Sequence, residues 1–374
     1  MVSVRALVTM MAIVAVAAGA VAEETETGPE QDPVLLRFAE RALPYYPDSE
    51  FRITEDVRQV TPSGSYRRVT VNRECMSKFL SGSTTMFVDE MADVVWVGRA
   101  GQLPLQDVRL GAGGLKGFLE GFLPEALGNN LGLKLRVDWD TGDTPSGAII
   151  PFTLRIDSGY GEYPKPAAVT SDGGILSLGI AYPLGSDPVE WRRELLASSD
   201  LVMWDNLPTT GAVEVVEFSD LECPACRGKW PMLKDELKQY PTKLRHGMVS
   251  FPLTTIHPWS FRGASAMWCV SRQDPGLLTS FKEQFYSMQG IMEVSQVTPT
   301  AVDFVAGAGL DEEAFRSCYL KRPSLDAVHG QIALAHRLGV DSTPTYFLNG
   351  WMVQVPDALW FPDFVASLVE SGAP

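Results

Sequence analysis

The chain of 374 residues is poor in several residue types, and each scarcity excludes something. Five cysteines are too few for a small disulfide-dense scaffold, and their odd number leaves at least one unpaired or pairing outside the chain. Lys and Arg come to 31 against 46 Asp and Glu, a formal charge of −15. That balance argues against nucleic acid or any partner held through its phosphates, because such binding needs clustered basic side chains. After the first 22 residues no stretch approaches the ~20 uninterrupted apolar residues that crossing a bilayer requires. There are only four histidines, none before His246. What remains, 45% hydrophobic and 21% charged, is the composition of a folded protein of two or three domains.

The N-terminus has the layout of a secretory signal peptide. Residues 1–5 carry one positive charge at Arg5, residues 6–18 are apolar apart from Thr9, and Ala20-Val21-Ala22 forms a small-x-small cleavage site. The polar, acidic Glu23-Glu24-Thr25-Glu26 follows. An uncleaved anchor is the competing reading. No cysteine follows the cleavage site, which disfavours a lipid anchor. Cleavage after residue 22 predicts a soluble protein secreted across the inner membrane, in the periplasm, where disulfides persist.

The next region repeats itself. Thr61-Pro62-Ser63-Gly64 recurs as Thr144-Pro145-Ser146-Gly147, an offset of 83, at which Leu36 also matches Leu119, Thr70 matches Thr153 and Asp89 matches Asp172. Each copy opens on a stretch with helical apolar periodicity, 34–43 and 115–127, and continues with alternating strand-like runs such as 66–71 and 148–156. Each ends in a hairpin-like segment, 85–97 and 168–181, the second turning at Asp172-Gly173. Two tandem α+β units are expected, 33–105 and 112–188, each a helix packed on a small antiparallel sheet. Nothing in them suggests catalysis. They read as a substrate-binding or dimerisation module or as a spacer. Cys75 lies here, opposite Ser158 in the repeat, and is expected to be a half-buried thiol, with an intermolecular disulfide as the alternative.

Chemistry-bearing residues gather in the last third. A β-branched run, 212–218, leads through Asp220 into Cys223-Pro224-Ala225-Cys226, and 230–240 reads as a helix. A Cys-x-x-Cys at a strand-to-helix junction sets its first thiol against unpaired backbone N–H groups and the positive end of the helix dipole, which lowers the thiol pKa. Pro224 suits the first helical turn, where its missing N–H costs nothing. Cys226 is close enough to close a disulfide, so the expected cycle is attack through Cys223, a mixed disulfide, and resolution by Cys226. Zinc is the competing use, but it needs four ligands, and Cys269, Cys318 and the four histidines supply no second pair. No metal and no other cofactor is expected.

Phe218-x-Asp220-x-x-Cys223-Pro224-x-Cys226 resembles the signature of the DsbA-like thioredoxin-fold thiol:disulfide oxidoreductases. Phe251-Pro252-Leu253 with His257-Pro258, the small-residue run Gly263-Ala264-Ser265-Ala266, and Gly339-Val340-x-x-Thr343-Pro344-Thr345-x-Phe347-x-Asn349-Gly350 continue the likeness. It covers about 207–374 and implies an α/β thioredoxin fold with a helical insertion over about 258–335. The resemblance implies that Pro344 is a cis-proline facing the active-site disulfide, leaving the backbone of Thr343 to pair with an extended substrate segment. It also implies that Glu217 is a buried acid beneath the disulfide, with a raised pKa, relaying the proton of Cys226. An exposed acid on an edge strand, with Glu214 turned inward instead, is the rival arrangement. In an oxidising compartment Cys269 and Cys318 are expected to form a structural disulfide in the insertion, as several relatives carry a second bridge; two buried thiols are the alternative.

The dipeptide Pro224-Ala225 departs from the best-known oxidase pattern, since it lacks the histidine that helps strong oxidases stabilise the thiolate. Thr343 is similar to the residue found in isomerases and reductases as well. The expected function is that of an exported thiol:disulfide oxidoreductase acting on protein thiols and disulfides, recharged by an unidentified redox partner. A disulfide isomerase or reductase, dimerised through the repeats or gripping substrate with them, is one alternative. A binding or chaperone module that leaves its dithiol idle is the other.

Overall fold

The computed structural model describes residues 29–61, 64–75, 80–90, 92–102, 114–128, 134–139, 148–205, 212–354 and 356–371. The expected signal peptide and the Thr144–Gly147 turn lie outside these residues. Among the described residues no helix is long and apolar enough to cross a membrane. The chain divides into two compact units, one holding the residues up to 39 together with 48–157 and 164–185, and the other 40–47, 158–163 and 186–374.

In the first unit the order helix, then four strands, occurs twice. Helix α1 (Pro33–Ala42) precedes β1 (Ser49–Thr61), β2 (Gly64–Cys75), β3 (Leu80–Asp89) and β4 (Val94–Gln102). Helix α2 (Gly114–Leu123), extended by a π-helical turn at Pro124–Gly128, precedes β5 (Lys134–Asp138), β6 (Ile149–Asp157), β7 (Glu162–Thr170) and β8 (Ile175–Pro183). Two separate small sheets were the expectation; instead one eight-stranded sheet runs in the order β1-β2-β3-β4-β8-β7-β6-β5. The physical reason is edge satisfaction: β4 and β8 are each the last strand of a meander, and their antiparallel pairing gives both edges hydrogen-bond partners. Gly98 and Gly179 face each other at this seam, where a Cβ on either would overlap the other strand's backbone. Period-two alternation then buries both faces at the centre. Phe87 and Trp96, paired across β3 and β4, join Tyr66, Ile149 and Ala168 on one side. Val95 and Tyr182 lie on the other, where Tyr182 meets Phe38 of α1 edge-on. Asp172-Gly173 forms the expected β7–β8 turn, Gly173 taking φ 74°. Cys75 is more deeply buried than expected, at 2% exposure.

The second unit opens with α3 (Pro188–Ala197) and is built on a five-stranded sheet, β13-β12-β10-β11-β9. Its strands are β9 (Met203–Trp204), β10 (Val213–Ser219), β11 (Leu244–Ser250), β12 (Thr345–Leu348) and β13 (Trp351–Gln354). Strands β10 and β11 are parallel, joined by α4 (Pro224–Gln239), and β12 runs antiparallel to β10. Edge strand β9 pairs with β11 before residue 207, the expected start of the domain; two residues are too short for an alternating pattern to register. Between β11 and β12 stand five helices: α5 (Ser260–Ser271), α6 (Leu278–Ser287), α7 (Val297–Gly307), α8 (Glu312–Cys318) and α9 (Arg322–Arg337). This is the helical insertion, and α10 (Phe361–Ser371) closes the chain. Alternate residues of β10 feed two cores: Val213 and Val215 face Trp230, Phe281 and Phe285, while Val216 and Phe218 face Phe261, Val328 and Ile332. That alternation places Glu217 on the side of α4 and α6, and Glu214 on the other.

Candidate active site

The strand β10 ends at Ser219, and the turn that follows delivers Cys223 to the start of α4. Asp220 shapes the turn: its backbone carbonyl accepts the Cys223 N–H (3.1 Å), and its carboxylate accepts the N–H groups of Glu222 and Leu253, both at 2.8 Å. Cys223 is the N-cap of α4, with Pro224 at the first helical position, and its sulfur accepts the Cys226 N–H at 3.4 Å. The Cys223 thiol also donates to the Thr343 carbonyl at 3.6 Å. The Thr343–Pro344 peptide bond is cis. Gln289, from just past α6, donates to the carbonyls of Leu221 (2.6 Å) and Cys223 (3.1 Å) and so anchors the loop from beneath.

The two thiols are electrostatically unequal. Hydrogen bonding from Cys226, its side chain foremost, with further help from the Thr343 side chain, outweighs burial and the field of Asp220 and brings the Cys223 pKa down to about 6. Burial pushes Cys226 well above the ordinary thiol value, and the neighbouring Cys223 sulfur adds to it. The inequality favours the thiolate at Cys223 near neutral pH, while Cys226 keeps its proton.

Beneath the dithiol lies a row of buried charges of alternating sign. Glu217, fully buried, accepts from Lys282 Nζ at 2.7 Å and lies 3.4 Å from His246 Nε2. His246 in turn contacts Asp205 through Nδ1 at 2.6 Å. The Lys282 ammonium sits 3.3 Å from the centroid of the Trp230 ring. Burial alone raises the Glu217 pKa, but Lys282 and His246 outweigh it and hold the carboxyl at about 2. Burial lowers the Lys282 pKa against the pull of Glu217, and His246 is raised because Asp205 and Glu217 overcome its burial. The expectation of a raised pKa for Glu217 is therefore corrected: a full countercharge from α6 reverses the desolvation effect. Glu214 is not its inward rival, being part-exposed and bonded to Arg245 at 2.9 Å.

Residues 209–359 match the family model described as Thioredoxin. The C-terminal unit has a thioredoxin-like fold and resembles the DsbA-like oxidoreductases. Among curated proteins, the domain is similar to the Bacillus cereus protein named probable disulfide bond formation protein D, 28% identical over 181 residues that cover 46% of this chain and 80% of that one. It is also similar to part of the Na(+)/H(+) antiporter NhaA 3 of Salinispora tropica, 28% identical over 146 residues covering 38% of this chain; the match spans only 21% of the antiporter's length. Among solved structures, the thiol-disulfide exchange protein alpha-DsbA2 from Wolbachia pipientis aligns with a TM-score of 0.40 and 16% identity, over 50% of this chain and all of that one.

The thioredoxin domain brings Cys223, Cys226, Thr343 and Pro344 together from two segments 120 residues apart. Glu217 lies on the α4 side of the sheet, where its partners are Lys282 and His246. A disulfide joins Cys269 of α5 to Cys318 of α8, with Cα atoms 5.9 Å apart. Sequence reasoning missed Lys282, His246 and Asp205. Lys282 had a signal: with Leu278, Phe281, Phe285 and Tyr286 it falls on the apolar stripe of α6, where a lysine needs a buried partner. His257 and Asp220 were legible as motif letters, but not as the 2.7 Å pair they form.

Proposed function

We propose that the protein is an exported thiol:disulfide oxidoreductase that exchanges disulfides with other proteins through Cys223 and Cys226. The observation that carries this reading is the asymmetry of the dithiol: a thiolate-prone Cys223 at a helix N-terminus beside Thr343, and a buried, protonated Cys226 three residues on. The Cys223 thiolate attacks one sulfur of a substrate disulfide, forming a Cys223–substrate disulfide and expelling the other substrate sulfur as thiolate. Cys226 then loses its proton and attacks the Cys223 sulfur; the Cys223–Cys226 disulfide forms and the second substrate sulfur leaves. Two electrons pass from the protein dithiol to the substrate disulfide, and the same steps reversed oxidise a substrate dithiol. Export rests on the residue pattern 1–26, with a periplasmic destination.

The test uses the full chain with a reduced and a scrambled protein substrate side by side. Cys223→Ser should abolish both activities, and Cys226→Ser should accumulate a mixed disulfide at Cys223 detectable by mass. Unchanged activity of Cys223→Ser in both assays would sink the reading in favour of a binding module. The reduction potential of the couple sets the direction: near about −120 mV the protein is an oxidase, and well below roughly −200 mV a reductase.

A further inference from the structure

The first thiol sits in an unfavourable charge environment. Asp220 lies three residues before Cys223, its side chain fully buried, and its field raises the Cys223 pKa. Glu222 is the residue next to Cys223, its carboxylate held against the Trp259 N–H at 2.7 Å. A nearby carboxylate disfavours a thiolate, and Asp220 does so here. The Pro224-Ala225 dipeptide carries no cation to offset it. A cation comes instead from the loop between β11 and α5: His257 Nδ1 lies 2.7 Å from Asp220 Oδ2, with its ring largely buried.

The geometry points to His257 as the positioning residue that neutralises Asp220 and so keeps Cys223 ionised, supplying from a distant loop the positive charge absent between the two cysteines. The inference rests on the dithiol reading above. Among the described residues the groups facing His257 are Asp220, Glu222 and Cys223, all anionic when ionised, and all three favour the imidazolium; hydrogen bonding to Asp220 is the foremost cause of its raised pKa. The Asp220 carboxylate is fully committed, with one oxygen on the Glu222 N–H and the other shared by the Leu253 N–H and the His257 ring. Removing the charge of His257 thus leaves Asp220 in place with its negative charge uncompensated. The thiolate is destabilised and the Cys223–Cys226 disulfide becomes the favoured state.

The experiment measures the pH dependence of Cys223 alkylation, peptide by peptide, in the full reduced chain, alongside the equilibrium with glutathione. The unaltered protein should titrate with a midpoint of about 6. His257→Gln keeps a hydrogen-bond donor without the charge, and should raise the midpoint by about one pH unit, with a shift toward the disulfide that approaches tenfold, or about 30 mV, at pH values above both midpoints. His257→Lys restores a cation and should return the midpoint toward that of the unaltered protein. In an Asp220→Asn background, where the imidazolium has lost its partner, His257→Gln should move the midpoint little. A His257→Gln midpoint within a few tenths of the unaltered one overturns the role of His257. So do equal shifts for the Gln and Lys variants, which would mark a merely structural contact. If Cys223 in the unaltered protein shows no depressed midpoint at all, the dithiol reading fails and takes this inference with it.

Discussion

The ion pair of Glu217 with Lys282 offers the sharpest test of the buried electrostatics, through Glu217→Gln. The carboxyl is held at about 2 against its ordinary 4.5, a difference worth about 3 kcal/mol of folding free energy at neutral pH. A group with a lowered folded-state pKa contributes fully above its unfolded value and loses that contribution as pH falls through the folded one. The window is therefore pH 4.5 down to about 2. Substitution also leaves the buried Lys282 ammonium without its carboxylate partner, so a cost of about 3–5 kcal/mol is expected at pH 7. Peptide-resolved hydrogen exchange over β10 and β12 reads the opening of the C-terminal sheet separately from the N-terminal unit. The gap between variant and unaltered protein should narrow as pH falls from 4.5 toward about 3, because unfolding of the unaltered protein there takes up a proton at Glu217. Glu217→Leu with Lys282→Met should recover most of the loss, because an apolar pair of similar volume carries no desolvation cost. A Glu217→Gln cost below about 1 kcal/mol, or a gap that does not change with pH, would refute the reasoning.

Three further outcomes are expected. The alkylation rate of Cys223 should rise with pH through about 6 and then level off, while Cys226 reacts only in far more alkaline solution; equal reactivity at pH 7 contradicts the asymmetry. Replacing Cys269 and Cys318 by Ala should lower stability by about 4 kcal/mol, the loop-closure entropy expected for a separation of 49 residues, read from denaturant unfolding of the C-terminal unit. Gly179→Ala should force β4 and β8 apart, costing about 1–3 kcal/mol in the exchange protection of those strands while Cys223 alkylation is unaffected; unchanged protection would show that the seam tolerates a Cβ.

The thioredoxin domain was legible because its signals are local. A β-branched run, a Cys-x-x-Cys opening a helix and an Asn-Gly turn between two strands each declare themselves within a few residues. The Asn349-Gly350 turn is an example, both residues taking the positive φ that a two-residue hairpin requires. The helical insertion was implied by the family resemblance, and the length and periodicity of 258–335 agreed with it. In the first unit the helices and hairpins were visible for the same reason, but the joining of two meanders into one sheet was not. No local pattern says which edge strand pairs with which; the closest hint is that Gly98 and Gly179 lie opposite each other at the seam.

The sequence by itself determined where the dithiol lies, that its first cysteine caps a helix, and that a strand with an acid at Glu217 precedes it. Only the tertiary structure decided what that acid is. Residues 217 and 282 are 65 apart in the chain and 2.7 Å apart in the fold, and burial without that lysine would have raised the carboxyl rather than lowered it. The same holds at the mouth of the site, where Asp220 and His257 meet across 37 residues. Helix caps and turns depend on neighbours in sequence, so a sequence can state them. The sign of a buried charge's pKa shift depends on which charges surround it in space, and only the fold brings those together.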